Sequence, residues 1–261
     1  MCRMASFVLT RDNVYWSQLT DSHEEIIKEY GLKEEGLGKK ISILRVEVAP
    51  ENGDYMLPID KWVFGYDQDL LPEWADREKD EARTREALQL WYSECCVGLG
   101  VKRESVNDGD RIKMVCGGTI SAIMGGTISA ICGGTISAIR GGTISEIRGG
   151  TISDILGGTI SAIWGGTISA IRGGTILEIW GGTILEIWGG TISAIGGGTI
   201  SVIRGGTISE IGGGTISDMK GNATANFRSG TKPKVSEQAV LVDRSGDTVR
   251  IITANKRKAT K

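Results

Sequence analysis

The sequence predicts a mainly β protein, in which a β-solenoid of octapeptide repeats follows a small N-terminal α+β domain. Residues 117–220 are 104 residues with a period of eight, or thirteen octads of the type GGTISAIM with no insertion between them. Each octad contains the β-favouring residues Thr and Ile, and a Gly-Gly pair that would interrupt a helix every eight residues. A unit this short cannot bury its own apolar face, so neighbouring units must stack on one another.

The size of one coil follows from the length of the octad. Two octads, sixteen residues, would close one flattened coil, and successive coils would stack at the spacing of hydrogen-bonded strands, about 4.8 Å. Three octads per coil would give a shorter, triangular rod. We favour two octads per coil and keep three as the alternative. The Gly-Gly pairs then form the corners, because glycine adopts φ values that a side chain forbids.

Substitution within the octads indicates which positions face inward, when the first glycine is numbered one. Positions four and seven are nearly always Ile, whereas position six includes Glu and Asp and position eight includes Arg and Lys. Burial of an unpaired charge costs several kcal/mol, so positions four and seven are predicted to form the core and positions five, six and eight to face outward. Two inward residues three apart require a bend or bulge between positions five and six.

The alternative register keeps strict alternation along each strand. In the octad that begins at Gly157, it would bury Thr159, Ser161 and Ile163 and leave Ile160 exposed.

Two degenerate octads at the ends of the array support the first register. Residues 109–116 and residues 246–253 keep apolar residues at positions four and seven and charged residues at position three or five. The inward residues predicted from them are Ile112, Val115, Val249 and Ile252, and the outward residues are Arg111, Lys113 and Arg250.

Composition sets the broad class of the protein. The 261 residues have a formal net charge of -2, and no apolar run approaches the length of a membrane span, so we expect a cytoplasmic protein with no membrane partner. The cysteines are odd in number, include an adjacent pair and have no CxxC spacing, so we expect thiols in a reducing compartment. They are Cys2, Cys95, Cys96, Cys116 and Cys132.

Three segments differ in sequence character: an α+β domain over 1–100, the solenoid over 101–228, and a β cap with a basic tail over 229–261. In the first segment we predict strands at 6–10, 41–49 and 62–66. A helix capped by Asp21 or Ser22 is predicted to end at Tyr30, and a second helix over 73–94 is predicted to open at Pro72.

The C-terminal segment is predicted to close the array. Strands at 239–243 and 247–253, joined by residues 244–246, would form a hairpin or a last coil that covers the open sheet edge. The basic residues of the tail are interpreted as a solvated terminus rather than a nucleic-acid clamp, because the chain is acidic overall. They are Lys256, Arg257, Lys258 and Lys261.

The N-terminal domain contains two features of chemical interest. His23 is expected to be a surface or helix-capping residue rather than a general base. A group of acidic residues could hold a divalent cation through oxygen ligands, but its spacing matches no calcium loop, so we favour a solvated turn. They are Asp60, Asp67, Asp69 and Glu73. No Walker, Rossmann, HExxH or GxSxG motif occurs, so no catalytic residue, cofactor or metal is assigned.

Position eight is the most variable position and provides the candidate binding surface. With two octads per coil, alternate octads share a face, so that position eight forms ladders along the rod and Trp164 would stack on Trp180. Trp and Arg are enriched at interaction hot spots. A stabilising surface ladder is the equal alternative. The candidate partner-binding residues are Arg140, Arg148, Trp164, Arg172, Trp180, Trp188 and Arg204.

Several segments resemble a known group of proteins. The stretches SFVLTRDN, DSHEEIIKEYGL, LPIDKW and YDQDLLPEW, followed by octads and VLVDRSGDTVRIITA, are similar to uncharacterised bacterial and phage proteins that join a small α+β domain to an octapeptide-repeat β-solenoid. The resemblance implies that fold and a cytoplasmic, often phage-borne setting, but no activity and no functional residue. The octads depart from that group, in which they read more like DNSTVEAY. A weaker likeness joins Thr159-Ile160-Ser161 to the Thr-x-Thr strands of bacterial ice-nucleation proteins.

Three functional hypotheses remain. The first and favoured one is a non-enzymatic binding or assembly protein, in which the rigid solenoid displays the Trp and Arg ladders to a protein partner or to a second copy, and the N-terminal domain docks or caps. The second is an ice-binding or ice-nucleating rod that uses the Thr and Ser ladders. The third is a metal-assisted enzyme in the N-terminal domain, around Asp67 and Asp69.

Overall fold

The computed structural model describes residues 5–34 and 41–254 and confirms the predicted fold class. The protein is mainly β, with 47% strand and 13% helix. It divides into two compact units, Met1–Cys96 and Val97–Lys261. Cys2 and the basic tail lie outside the described residues.

The first unit contains a four-stranded antiparallel sheet and two helices. The strand order is β2-β1-β3-β4. The predicted strands at 6–10, 41–49 and 62–66 are present, with the second beginning three residues later than expected. The bounds are β1 Ser6–Leu9, β2 Val14–Tyr15, β3 Leu44–Ala49, β4 Val63–Tyr66, helices α1 His23–Glu29 and α2 Arg77–Cys95, and short 3-10 turns at Glu51–Gly53 and Ile59–Lys61.

Both helices begin at polar caps. Ser22 is one of the two residues predicted to cap α1. Its hydroxyl accepts a hydrogen bond from the backbone N–H of Glu25. The expectation that Pro72 opens the second helix is wrong. Asp76 is its cap, with a side chain that accepts from the backbone N–H of Lys79, and Pro72 lies in the preceding turn. The Asp76 carboxylate satisfies a helix N–H, whereas a proline carries no polar side chain to do so.

The second unit is a β-solenoid of about nine turns between residues 96 and 243. Each octad strand pairs in parallel with the strand two octads further along the chain, so that Thr151 lies beside Thr167. One coil therefore holds two octads, and the three-octad alternative is wrong. The strands are β5 Cys96–Val97, β6 Lys102–Val106, β7 Arg111–Ile123, β8 Thr127–Ile139, β9 Thr143–Ile147, β10 Thr151–Ile155, β11 Thr159–Ile163, β12 Thr167–Ile171, β13 Thr175–Ile179, β14 Thr183–Ile187, β15 Thr191–Ile195, β16 Thr199–Ile203, β17 Thr207–Ile211, β18 Thr215–Met219, β19 Thr224–Phe227, β20 Lys234–Val235, β21 Val240–Asp243 and β22 Arg250–Thr253.

The core of the solenoid consists of two stacked isoleucine columns. Ile160 and Ile163 are buried, and Thr159 is exposed, which confirms positions four and seven as inward and rules out the alternating register. Neighbouring octads pair at positions three, four, six and seven but not five, where strict alternation is interrupted. Position six is solvent-accessible at its acidic residues, whereas the alanines there are buried in three octads. These are Ala130, Ala162 and Ala170.

The glycine corners are required by both conformation and space. Gly158 has φ +85°, and a Cβ there would lie 2.8 Å from the carbonyl oxygen of Gly142 in the preceding coil. A side chain at this corner would be strained and would collide with backbone.

The first degenerate octad obeys the register only in part. Ile112 and Val115 are buried and Arg111 is exposed, as predicted. The outward prediction for Lys113 is wrong, because this residue is buried. Met114 and Cys116 are buried as well, so the outer side of β7 is covered here rather than open to solvent.

The last degenerate octad is not a coil. Strand β22 runs antiparallel to β21, with Val242 opposite Ile251, so this segment is the predicted hairpin. The inward prediction for Val249 is therefore wrong, and its side chain is exposed. Ile252 packs against the core and Arg250 is exposed, as expected. A chain that reverses direction cannot continue the parallel register that fixes positions four and seven.

Candidate partner-binding surface

Position eight forms two ladders, because its residues recur at the sixteen-residue interval of the parallel register. The pairing of alternate octads confirms the predicted grouping. We call them the first ladder and the second ladder. The first ladder is Arg140, Leu156, Arg172, Trp188, Arg204 and Lys220, and the second ladder is Arg148, Trp164, Trp180, Gly196 and Gly212.

Trp188 lies between two arginines of the first ladder. The guanidinium carbon of Arg204 is 4.7 Å from the centre of its ring, and that of Arg172 is 5.9 Å from it. A cation over the face of an indole is attracted by the ring quadrupole, by about 0.5–1 kcal/mol at an exposed site. Three consecutive coils are therefore connected through side chains on the outside of the solenoid.

Each of these arginines also pairs with a carboxylate of the preceding coil. Arg172 Nε donates to Asp154 Oδ1 at 2.7 Å, and Arg204 Nη2 donates to Glu186 Oε1 at 2.6 Å. The hydrogen bond from Arg204 holds the pKa of the Glu186 carboxyl below its ordinary value. The ion pairs fix the guanidinium planes that lie over Trp188.

These pairs share a spacing along the chain. An acidic residue at position six and an arginine at position eight of the next coil on the same face are eighteen residues apart. The spacing recurs outside the first ladder, where Arg228 Nε lies 2.8 Å from Glu210 Oε2. A search for acidic and basic residues at i and i+18 would have found all three pairs once two octads per coil were assumed.

The second ladder contains the predicted tryptophan stack. The rings of Trp164 and Trp180 are 5.8 Å apart between centroids and inclined by 13°. Trp180 Nε1 donates to Glu178 Oε2 of the same octad at 2.6 Å, which fixes the orientation of the second ring. Stacking of this kind is worth about 0.5–1.5 kcal/mol beyond burial.

On the face of the second ladder, Glu146 and Glu178 pair within their own octads. Arg148 donates to Glu146 at 2.6 Å. Trp164, and not a basic residue, lies eighteen residues after Glu146, so the nearest available cation is Arg148. Arg140, in contrast, has Ala122 eighteen residues before it, and its side chain is exposed.

The three tryptophans remain open to solvent despite these contacts. Their exposed fractions are 52% for Trp164, 45% for Trp180 and 46% for Trp188. Leu177 and Leu185, in the same octads as the last two, are exposed as well. Exposed tryptophan and leucine beside arginine are the composition expected of an interaction surface.

The structure corrects the expectations for the first unit. His23 is buried and not a surface residue, and its Nδ1 lies 3.3 Å from Asp67 Oδ2. The ligand-type atoms of His23, Glu47 and Asp67 all lie within 4.8 Å of one another. Of the four acidic residues considered from the sequence, Asp67 belongs to this group, and Asp60, Asp69 and Glu73 do not.

Comparison of the chain with protein families, curated proteins and solved structures gives no match. The resemblances to phage-type octapeptide proteins and to ice-nucleation repeats therefore stay predictions. The described cysteines form no disulfide. Within residues 5–34 and 41–254, helices long and apolar enough to cross a membrane are absent.

Proposed function

We propose that the chain is a non-enzymatic binding or assembly protein, in which the solenoid presents its two ladders to a protein partner or to a second copy. The N-terminal unit acts as a docking or capping module. The observation that supports this most is that three tryptophans are held in register along the solenoid with about half of each side chain exposed.

The fixed orientation of these rings favours binding. Trp180 is stacked and hydrogen bonded, and Trp188 is flanked by two ion-paired arginines, so little rotamer entropy is left to lose when a partner covers them. Immobilising a flexible side chain at an interface costs about 0.5–1.5 kcal/mol. Preordered Trp and Arg side chains avoid most of that cost and supply the residue types found at hot spots.

The alternative of a purely structural ladder explains the contacts but not the composition. Glu210 and Arg228 join adjacent coils with an ion pair and no tryptophan, and the isoleucine columns already hold the stack together. Exposed tryptophan adds apolar area that water contacts in the free protein. That area contributes no stabilisation in the free protein, but its burial would stabilise a complex with another surface.

The proposal is tested with the triple variant Trp164→Ser, Trp180→Ser and Trp188→Ser. Its far-UV circular dichroism should match that of the wild type, and its free energy of unfolding should fall by about 3 kcal/mol at most. Sedimentation velocity reports self-association, and affinity capture reports a protein partner. The variant should lose whichever of these the wild type shows.

A matched control changes exposed threonines of the same three octads. The variant Thr159→Ser, Thr175→Ser and Thr183→Ser removes a methyl group at each site and leaves the rings in place. It should associate like the wild type. Equal association of the triple tryptophan variant and the wild type would contradict the proposal and direct the search to the N-terminal unit.

Ice binding is the second candidate function, favoured by the outward rows of hydroxyl groups. Thr at position three and Ser at position five face outward and repeat in register on both faces. Leu177 and Leu185 interrupt the serine row once on each face. If the rows bind ice, thermal hysteresis should be measurable and should rise in Leu177→Ser with Leu185→Ser, whereas the triple tryptophan variant should keep it.

The setting of the protein follows only from resemblance. The N-terminal stretches and the octads resemble proteins that are cytoplasmic and often phage-borne. We propose the same setting for this protein on that ground.

A further inference from the structure

His23, Glu47 and Asp67 come together from three elements of the first unit. His23 is the first residue of α1, Glu47 lies in β3, and Asp67 directly follows β4. The backbone N–H of Asp67 donates to the carbonyl oxygen of Arg45 at 2.9 Å, which extends the pairing of β4 with β3 by one step. The sheet thus places both carboxylates beside the buried imidazole.

The residue opposite Glu47 leaves room above the cluster. Gly65 is the register partner of Glu47 on β4, and a Cβ on this glycine would have no other heavy atom within 4 Å. Glu47, Gly65 and Asp67 contribute to the lining of a cleft of about 340 Å³. The cluster is therefore closed by His23 on one side and accessible to solvent on the other, where the Asp67 side chain is half exposed.

The hydrogen bond of His23 determines which ring nitrogen faces the carboxylates. Its Nε2 lies 3.1 Å from the carbonyl oxygen of Val46, and because a carbonyl only accepts, Nε2 carries a proton. Nδ1 points to Asp67, 3.3 Å away. One ring nitrogen and two carboxylate oxygens within 4.8 Å of one another are close enough to share one metal ion.

We propose that His23 Nδ1, Glu47 and Asp67 bind a divalent first-row transition ion, of which Zn²⁺ is the probe. One imidazole nitrogen and two carboxylate oxygens form a donor set suited to such an ion, whereas Mg²⁺ and Ca²⁺ prefer oxygen ligands alone. Metal-binding histidines usually donate their other N–H to a carboxylate or backbone carbonyl, as His23 does to Val46. Water from the open cleft would complete the coordination. This site is independent of the binding function proposed for the solenoid.

The experiment uses the fact that the chain contains one histidine. In the full-length protein labelled with ¹⁵N-histidine, the imidazole signals report on this site alone, and Zn²⁺ bound by cysteines elsewhere does not move them. Addition of Zn²⁺ should shift Nδ1 to the position of a metal-bound nitrogen in a saturable manner, while Nε2 stays protonated. Addition of Mg²⁺ should have no such effect.

Two variants locate the remaining ligands. Asp67→Asn and Glu47→Gln keep the size of the side chains and should weaken the Zn²⁺ response at least about tenfold. Asp69→Asn is the matched control, because Asp69 is an exposed carboxylate two residues away and outside the cluster, and it should respond like the wild type. Circular dichroism confirms that each variant is folded.

Either of two results overturns the proposal. If Nδ1 keeps its metal-free chemical shift at excess Zn²⁺, the ion does not bind at this imidazole. If Asp67→Asn responds like the wild type, the ion lies elsewhere.

Discussion

The indole of Trp180 lies against the backbone of Gly196, one coil further along the second ladder. A Cβ on Gly196 would be 2.5 Å from Cε3 and Cζ3 of the ring, which is closer than two carbon atoms can approach. The tryptophan stack therefore rests on a glycine at position eight. This glycine has no unusual φ, so it is required for space and not for backbone conformation.

Gly196→Ala should displace the Trp180 ring and disturb its stacking on Trp164. We expect a loss of about 1 kcal/mol in the free energy of unfolding and a changed near-UV circular dichroism spectrum, because ring stacking contributes to both. Gly212→Ala is the control in the same ladder, since its nearest contact would be 3.8 Å away, and it should leave the spectrum unchanged. Equal effects of the two variants would contradict this description of the stack.

The inward register predicts unequal effects of three neighbouring substitutions. Ile160→Asp and Ile163→Asp should each destabilise the protein by about 4 kcal/mol or more, because each buries an unpaired carboxylate. Ser161→Asp should cost about 0.5 kcal/mol, since position five faces outward. Urea unfolding followed by circular dichroism measures all three. A tolerated Ile160→Asp together with a damaging Ser161→Asp would indicate the alternating register.

Repetition explains why the solenoid could be predicted in such detail. Thirteen copies of one octad show what each position tolerates, so that Ile160 and Ile163 are identified as inward from substitutions elsewhere in the array. Where the copies degenerate, the same reasoning succeeds only in part. Lys113 lies in a strand covered on its outer side, and Val249 lies in a hairpin that reverses the chain.

The first unit offers no such internal comparison. The burial of His23 depends on how α1 packs on the sheet, and its approach to Glu47 and Asp67 depends on the pairing of β3 with β4. Neither is visible in the local sequence, where a histidine beside acidic residues is typical of a helix start. The candidate ladders could be predicted because their geometry follows from the period alone.

The ion pair of Glu186 with Arg204 should persist to unusually low pH. The hydrogen bond from Arg204 lowers the pKa of Glu186, so the pair is fully formed above the ordinary glutamate range and is lost only as the pH falls through the lowered value. The ¹⁵N signal of Arg204 Nε, followed during acid titration, should show this transition. The transition should disappear in Glu186→Gln. It should remain in Glu178→Gln, because Glu178 lies on the face of the second ladder. A midpoint at or above the ordinary glutamate range would contradict the account.

A second charged contact should stabilise the C-terminal hairpin. Lys232 Nζ lies 2.5 Å from Asp243 Oδ2, and the hydrogen bonds from Lys232 and Ser245 lower the pKa of the Asp243 carboxyl. Its contribution is fully present above the ordinary aspartate pKa and is lost as the pH falls through the lowered value.

Asp243→Asn should therefore speed amide hydrogen exchange in β21 and β22 at neutral pH. Exchange in the central strands β11–β14 should stay as in the wild type, because their pairing does not involve this contact. Asp247→Asn is the control, an exposed aspartate in the connection of the same hairpin. Equal protection of the hairpin in all three proteins would contradict a stabilising role for the pair.

The most direct test of the binding surface is hydroxyl-radical footprinting of the wild-type chain, compared between its free state and its associated state. Trp62 and Trp91 are buried and should be unreactive in both states, which provides an internal control. Trp164, Trp180 and Trp188 should react in the free protein and become protected on association. Undiminished reactivity of all three rings in the associated state would contradict the proposed binding surface.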